Sequence, residues 1–444
     1  MEIRDVIYGT IPIEDSELPI LDSMYFQRLR QIKQLGFSEN SFPSTTHNRY
    51  VHSLGCMQAA TQALDSIFSP TQASPPEITL SAHAKKKFRS VLRLAALLHD
   101  IGHGPLSHTT EFAMPPVSEL QIPGIPLGKR KMRKATHEDY TLKILLDSPL
   151  SPLLENSGSP YGFGPTHIAC LLNPELPAPD SFFIEQGINF RPILEQLISS
   201  ELDADRMDYL RRDSLHAGVS YGQFDFNWLV GNLTATLSDS QCYLCLQHRA
   251  LYTFEDFLLS RFHMFLMVYF HHKSVIFDEM LAQYLGSPEC TYRLPSDIEA
   301  YCEYTDSHLY SHLYRSSNPW ARRIAERKPY RMLIELHSGI PASKPNSAER
   351  SKEEQLFSDL KETLQKQNIH FLSHLSTSEL SKYFRRPAAP IYVRYDNHFS
   401  PASFIPLEQC TDLFQKYEQK RWIKRLYVSP ENWQRLLTQR QASI

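Results

Sequence analysis

The run Val91-Leu92-Arg93-Leu94-Ala95-Ala96-Leu97-Leu98 is apolar at every position but one, and it ends in His99-Asp100. A helix that is apolar on nearly every face is a buried one. Other elements must therefore surround it, and its end delivers an imidazole and a carboxylate into the interior. An unpaired buried charge is expensive, so Asp100 needs a strong partner. A divalent cation is such a partner, and neutral imidazole is a common ligand beside it. A His-rich helix end satisfied by backbone groups fits the pair equally well, so the pair alone decides nothing.

Two further segments shift that balance. His52 belongs to an earlier helical stretch, and Glu201-Leu202-Asp203-Ala204-Asp205-Arg206-Met207-Asp208-Tyr209 offers several carboxylates. His103 lies one turn beyond His99 if the helix continues that far. Seven of the 19 histidines fall between His47 and His137, which concentrates them around these segments.

The remaining chain reads as a mainly helical body with a small α+β lobe, divided at 1–325 and 326–444. Its 444 residues allow two or three domains. Residues 16–68 are expected to be helical. Gly36 is expected to stop the helix that contains Met24–Ile32, and a second helix runs from Arg49 through Ala63. Residues 69–77 read as a loop, and 191–216 and 251–285 as helices. Residues 113–135 hold four prolines and the run Lys129-Arg130-Lys131-Met132-Arg133-Lys134. That run reads as a solvated loop, with a basic lid or partner-binding segment as its rival. Past residue 325, Tyr330–Leu336 and Ile391–Tyr395 look like strands, Ser351–Gln367 and Cys410–Lys420 like helices, and Ser338–Lys352 like a linker.

Composition excludes some classes. Forty-six Lys+Arg against 49 Asp+Glu give a net charge of −3, which does not suit a surface built to grip nucleic acid or anionic lipid. The longest apolar stretches, Val91–Leu98 and Met264–Phe270, fall far short of the ~20 residues that cross a bilayer. The seven cysteines are odd in number and scattered, so a reducing, cytoplasmic setting is expected. Cys242 and Cys245 lack the second pair of a zinc ribbon, and their surroundings read as a strand.

Arg49-Tyr50-Val51-His52-Ser53-Leu54-Gly55, His99-Asp100-Ile101-Gly102-His103-Gly104-Pro105-Leu106-Ser107-His108, His137-Glu138, Asp203–Tyr209 and Arg212-Asp213 together resemble the HD-domain phosphohydrolases. Within them the chain is similar to the SAM-and-HD-domain type of deoxynucleoside triphosphate triphosphohydrolase and its bacterial relatives. The resemblance runs from about residue 2 to about 285.

What the resemblance implies is specific. The metal ligands would be His52, His99, Asp100 and Asp205, with Asp203 as the rival to Asp205. They would hold one divalent ion (Mn, Fe, Zn, Ni or Mg), with room for a second. His108 and His137 would serve proton transfer, Glu111 would orient His137, and His103 is a further catalytic candidate. Arg49 and Arg206 would contact phosphates, as would Arg261 and Lys273 on a later helix, where Phe270 stands at a position that relatives often fill with Tyr. Gln34 and Leu35 would lie against the sugar, Tyr209 would pack on the deoxyribose, and Asp213 would accept from the 3′-hydroxyl. Asp22, Gln27 and Arg30 match an activator site for GTP or a dNTP; on an exposed helix they also suit solvation and local pairing.

The expected reaction is hydrolysis of a dNTP to deoxynucleoside and inorganic triphosphate, by a homodimer or homotetramer. One rival is another phosphoester on the same site: a nucleoside monophosphate, a cyclic dinucleotide or a guanosine alarmone. A second is a nucleotide-sensing or nucleic-acid-binding module with little turnover.

Overall fold

The computed structural model describes residues 1–69, 78–125, 132–338, 347–378, 380, 389–397, 399–416 and 421–441. The body is helical and the smaller C-terminal region carries sheet. Helix α1 (Arg49–Ile67) and helix α2 (Ala82–Leu98) form its centre. Each starts at a side-chain cap: Asn48 accepts from Val51 N at 3.2 Å and Ser81 from Ala84 N at 3.0 Å. Arg93, the one charge in the apolar run, is fully buried. Its Nε and Nη2 donate to Glu17 at 2.6 and 2.7 Å, and Nη1 donates to Thr61 Oγ1 at 3.1 Å. The charge is tolerated because a carboxylate meets it in a bidentate pair.

Helix α4 (Arg191–Ile198) and helix α5 (Ala204–Ala217) pack against this pair, and helix α3 (His137–Leu146) meets the turn that follows α2, where Thr141 Oγ1 accepts from Gly102 N at 3.1 Å. Asp203 caps α5 by accepting from Arg206 N at 2.8 Å, and Gly218, at φ +69°, ends it in the left-handed conformation that glycine tolerates. The contact between α1 and α5 is very close. A Cβ on Gly55 would fall 1.9 Å from Asp208 Oδ1 and 2.5 Å from Arg212 Nη2.

The N-terminal segment departs from expectation. The helix containing Met24 ends well before Gly36: an α turn over Met24–Gln27 tightens into a 3-10 turn over Arg28–Gln31, and Ile32 is extended. Residues 32–34 take backbone partners from residues 47–49 instead. Gln34 N donates to His47 O at 3.0 Å and Arg49 N to Ile32 O at 2.9 Å. Those bonds forbid a continuing helix. Helix α1 runs on to Ile67, past Ala63. Helix α2 ends at Leu98, so His103 lies on a turn and not on its next helical turn.

Helix α6 (Leu251–Met264) passes into a π-helical turn over Phe265–Tyr269, and helix α7 (His272–Leu285) follows. Helix α8 (Asp306–Arg315) lies beyond. In the C-terminal region, strand Arg421–Val428 is central in an antiparallel sheet with Arg331–His337 and Phe371–Ser378. Strand Tyr392–Tyr395 runs parallel to Gln241–Gln247, so backbone pairing joins residues on both sides of position 325. A helix over Ser347–Lys366 begins inside the expected linker, whose residues 339–346 lie outside the described residues. The helix expected over Cys410–Lys420 is described only at Leu413–Lys416.

Cys242 and Cys245 lie on a strand, and all seven cysteines are free. Of the basic run, 129–131 lie outside the described residues. Arg133 is paired and not simply solvated: it donates to both Asp139 oxygens, at 2.6 and 2.7 Å. No described helix is long and apolar enough to cross a membrane.

The α1–α5 contact yields a test. Gly55→Ala should lower stability by roughly 1–3 kcal/mol, the usual range for overpacking, read by thermal unfolding. An unshifted transition would show that the helices can part freely.

Candidate metal centre

His52 sits in the first turn of α1 and is fully buried. Its Nδ1 lies 2.8 Å from Asp208 Oδ2. Its Nε2 lies 3.0 Å from Asp205 Oδ1 and 3.6 Å from Asp100 Oδ2. His99 caps α2, with Nδ1 2.8 Å from Ala96 O. Its Nε2 lies 3.4 Å from Asp100 Oδ1 and 3.7 Å from Asp205 Oδ1, yet it is buried with no hydrogen-bond partner. In both rings Nδ1–H faces an acceptor, which leaves the Nε2 lone pair directed into the cluster. That is how proteins orient metal-binding histidines. Two imidazole nitrogens and two carboxylates thus converge, so this donor set fits a borderline divalent cation.

The carboxylates are anions across the neutral range. Burial pushes Asp100 up, but Arg49, His99 and His103 outweigh it and hold the carboxyl well below its usual range. Burial likewise pushes Asp205 up, and His52 and His99 bring it far down. The geometry separates the two acidic candidates on α5. Asp203 is occupied as the cap, accepting from Ser200 N at 2.9 Å as well as from Arg206 N. Asp205, two residues later, is the one that faces His52 and His99.

Cys56 lies one helical turn after His52. Its Sγ is 3.5 Å from both ring nitrogens of His52, so the thiol sits against the ring and off the line of the Nε2 lone pair. Burial pushes the thiol well up, which keeps it protonated.

Beside this cluster lies a second group of histidines. His137 Nδ1 is 2.6 Å from Glu111 Oε1, and His108 Nδ1 is 3.2 Å from the same oxygen. Burial alone would raise Glu111; the bonds from His108 and His137 bring it down to about 2. Glu111 is therefore an anion that fixes both rings. The His103 ring stacks on His137 at 3.9 Å and 10°, and its Nε2 is 3.3 Å from Asp100 Oδ1. Burial, with Arg49 and His137 adding to it, holds His103 well below the usual histidine range, so it is neutral. The lone pairs of the stacked His103 and His137 rings lie in parallel planes and do not meet at one point, while the His108 ring stands nearly perpendicular to both. The His103–His137 pair therefore suits proton movement better than shared ligation, although the three histidines together are close enough to hold an ion.

The other candidate residues divide. Arg49 pairs with Asp100, and its Nε donates to Ser107 Oγ at 2.9 Å. Arg206 is half-buried, with Nη1 3.5 Å from Asp203. Asp213 Oδ1 lies 2.7 Å from His47 Nε2, and Oδ2 accepts from Tyr269 Oη at 2.8 Å. The ring centroids of Tyr209 and Tyr269 are 6.3 Å apart. Gln34 is buried with Oε1 lacking a hydrogen-bond partner, and Leu35 is half-buried. Arg261 is buried and donates from Nη1 to Leu380 O at 2.9 Å. Lys273 is exposed at the start of α7, and no hydrogen bond or ion pair among the described residues joins it to the cluster. Asp22 is exposed, while Gln27 and Arg30 bond to each other at 2.8 Å, as an ordinary helix face does.

Sequence reasoning missed three contributors. Asp208 holds His52, and its i,i+4 spacing to Arg212 was a visible signal of a buried pair. His47 holds Asp213. Tyr269, not Phe270, is the aromatic residue turned to the site, because the π turn adds a residue and shifts the helix phase by about a quarter turn or more.

Asp208→Asn should weaken divalent-metal affinity by about 10–100-fold, the usual cost of losing a carboxylate behind a ligand histidine. Calorimetric titration of the purified chain checks this, and unchanged affinity would exclude His52 as a ligand held in this way.

Comparison with known proteins follows the same lines. A family model described as the HD domain matches residues 49–156, and one described as the HD-associated region matches 224–364. The chain is 28% identical over 335 residues to an uncharacterised protein of Methanocaldococcus jannaschii, covering 75% of this chain and 59% of that one. It is 27% identical over 367 residues to the human deoxynucleoside triphosphate triphosphohydrolase SAMHD1, covering 75% of this chain and 54% of that one. The chain thus spans little more than half the length of these relatives. Among solved structures it is similar to a hypothetical protein from Aquifex aeolicus, with a TM-score of 0.70, 25% identity and 98% of both chains covered. The chain thus carries an HD domain, which holds His52, His99 and Asp100 of the buried centre, followed in sequence by an HD-associated region.

Proposed function

We propose that this chain is a metal-dependent phosphohydrolase that cleaves deoxynucleoside triphosphates to deoxynucleoside and inorganic triphosphate. The observation that carries the reading is the pairing of two sites: a His52–His99–Asp100–Asp205 cluster, and a Glu111-anchored histidine group beside it. His52, His99, Asp100 and Asp205 would hold one divalent cation. Such a cation supplies Lewis-acid polarisation of a phosphoryl oxygen and lowers the pKa of water.

The chain's own residues would do the rest. His137 keeps its Nδ1–H on Glu111, so Nε2 is the atom that would pass a proton to the leaving 5′-oxygen. His108 shares the same carboxylate from a more exposed position and is the alternative donor. His103, neutral and stacked on His137, would keep that ring in place. Arg206 and Arg261 would meet phosphate oxygens, since guanidinium groups match them bidentately. Tyr209 and Tyr269 would flank the sugar, where a 2′-hydroxyl would be crowded. Asp213, fixed by His47 and Tyr269, would accept from the 3′-hydroxyl, and a site built for that bond rejects analogues without it. Homo-oligomerisation and activation by GTP or a dNTP at Asp22, Gln27 and Arg30 belong to the same proposal.

One observation favours a smaller phosphoester substrate. Arg261 is tied to Leu380 O and Lys273 lies outside the cluster, which leaves fewer free cations for a triphosphate. Product identity separates the two readings. Release of inorganic triphosphate from dNTPs supports the first; phosphate or pyrophosphate supports the second.

Asp205→Ala should remove bound metal and reduce turnover by at least about a thousandfold, on the scale of losing a metal-assisted step. Metal analysis and single-turnover kinetics check both halves. Full activity in this variant would overturn the proposal.

A further inference from the structure

Leu106 and Ser107 are consecutive non-glycine residues in the left-handed region, at φ 54° and 58°. Such backbone is unfavourable for a residue like leucine and persists only where its surroundings impose it. This turn joins the His99–His103 end of the metal cluster to His108 and Glu111, so its shape sets how the two groups face each other. What imposes it comes from α8, two hundred residues further along. Asp306 stands in the first turn of that helix and is buried. Its Oδ1 accepts from Leu106 N at 2.7 Å, and its Oδ2 accepts from Lys33 N at 3.0 Å.

The second of those bonds matters as much as the first. Lys33 precedes Gln34, the residue expected at the sugar. Ser107 Oγ donates to Lys33 O at 2.8 Å while accepting from Arg49 Nε at 2.9 Å. Gly36, at φ +50°, brings its backbone close enough that an added Cβ would lie 3.4 Å from Leu106 O. One carboxylate therefore clamps the histidine turn and the Lys33–Gln34 segment against each other without touching a metal-ligand candidate.

We propose that Asp306 is a positioning residue: by accepting from the Leu106 and Lys33 N–H groups, it holds the left-handed Leu106–Ser107 turn against the Lys33–Gln34 segment and so sets where His108 and Gln34 meet the substrate. Its kinetic consequence rests on the phosphohydrolase reading; its structural consequence does not. The charged form does the work. A carboxylate offers an acceptor to each N–H, whereas an acid or an amide presents a donor to one of them. Burial raises this group, with the Leu106 and Lys33 N–H bonds opposing it, and it titrates at about 6. The clamp is complete above that pH and is lost as pH falls through it. The groups facing it are Arg28 from the 3-10 turn, Lys33 from the segment after it, Tyr310 on α8 and Tyr292 from the preceding loop. His308, two residues on, faces Tyr292 and Tyr304.

The test uses the full chain and the variant Asp306→Asn. Hydrogen exchange should rise at least tenfold in peptides covering 103–109 and 32–36, with α1 unchanged. Metal content should stay at the wild-type level, and kcat for the best phosphoester should fall at least tenfold. Should this variant fold poorly, wild type and His308→Gln serve. Protection of 103–109 relative to α1 should then drop as pH is lowered through about 6, in His308→Gln as in wild type. Exchange within twofold of wild type in Asp306→Asn overturns the proposal, as does protection that ignores pH. Looser exchange in an enzyme of unchanged kcat overturns it too. If wild type hydrolyses no phosphoester but the exchange pattern is as expected, the clamp stands and only the phosphohydrolase reading falls.

Discussion

At Asp208 the helical core and the candidate metal centre become one object. Its carboxylate lies 2.8 Å from His52 Nδ1 and accepts from Arg212 Nε and Nη2 at 2.8 and 2.9 Å, with all three side chains shut off from solvent. Arg212 reaches on at 2.9 Å to Asp5, in the N-terminal hairpin formed by the antiparallel strands Glu2–Asp5 and Gly9–Pro12. A buried pair of this kind adds little net stability, but removing one partner leaves an uncompensated charge and is strongly destabilising. The chain is therefore held to one arrangement of α1, α5 and the hairpin. Gly55 is the price of entry: only a residue without Cβ lets α5 come close enough for Asp208 to reach His52. The same closeness fixes the imidazole whose other nitrogen faces the cluster.

The histidines crowded into the first third of the chain are alike in type and differ in what their second nitrogen touches. His52 is backed by a carboxylate and His99 by a carbonyl, which aims both Nε2 atoms inward. His137 and His108 share Glu111. His103 has no such anchor on Nδ1, which is buried without a partner, and it is held by stacking and by Asp100. Burial then keeps it neutral. The same side chain type thus sits in three different settings within a few ångströms, each set by its neighbour. The near-neutral net charge of the chain reveals nothing of this, because the charges that matter cancel locally.

How much of this the sequence disclosed depends on whether a feature is local. The apolar run before His99 declared a buried helix because hydrophobic periodicity is a property of consecutive residues. The HD motif positions were legible for the same reason, and so were the strands around Cys242–Cys245 and Tyr392–Tyr395. What was hidden depends on contacts across the fold. Residues 32–34 have helical neighbours in sequence, yet they leave the helix because residues 47–49 supply their backbone partners. Tyr269 could not be told from Phe270, since a single π turn decides which aromatic faces inward and leaves no simple trace in composition. Lys273 has the right charge and the right neighbourhood in sequence; its exposure is a matter of helix phase. Arg261 meets a carbonyl more than a hundred positions away.

The HD-associated region follows from this logic. A short helical core can bring His52, His99, Asp100 and Asp205 together by itself, since all four sit on α1, α2 or α5, or at their ends. It cannot by itself hold the loop that carries His103, His108 and Glu111, whose backbone runs through two left-handed residues. That loop is braced from outside. Tyr301 Oη donates to Gly102 O at 2.8 Å, Arg28 Nη1 donates to His103 O at 2.7 Å and its Nη2 to Tyr304 O at 3.0 Å. Tyr301 and Tyr304 lie within the segment 224–364 matched by the HD-associated model. The division of labour is thus physical: α1, α2 and α5 bring the candidate donor set together, while Tyr301 from the HD-associated region and Arg28 from the N-terminal segment, itself tied to Tyr304, brace the loop beside it.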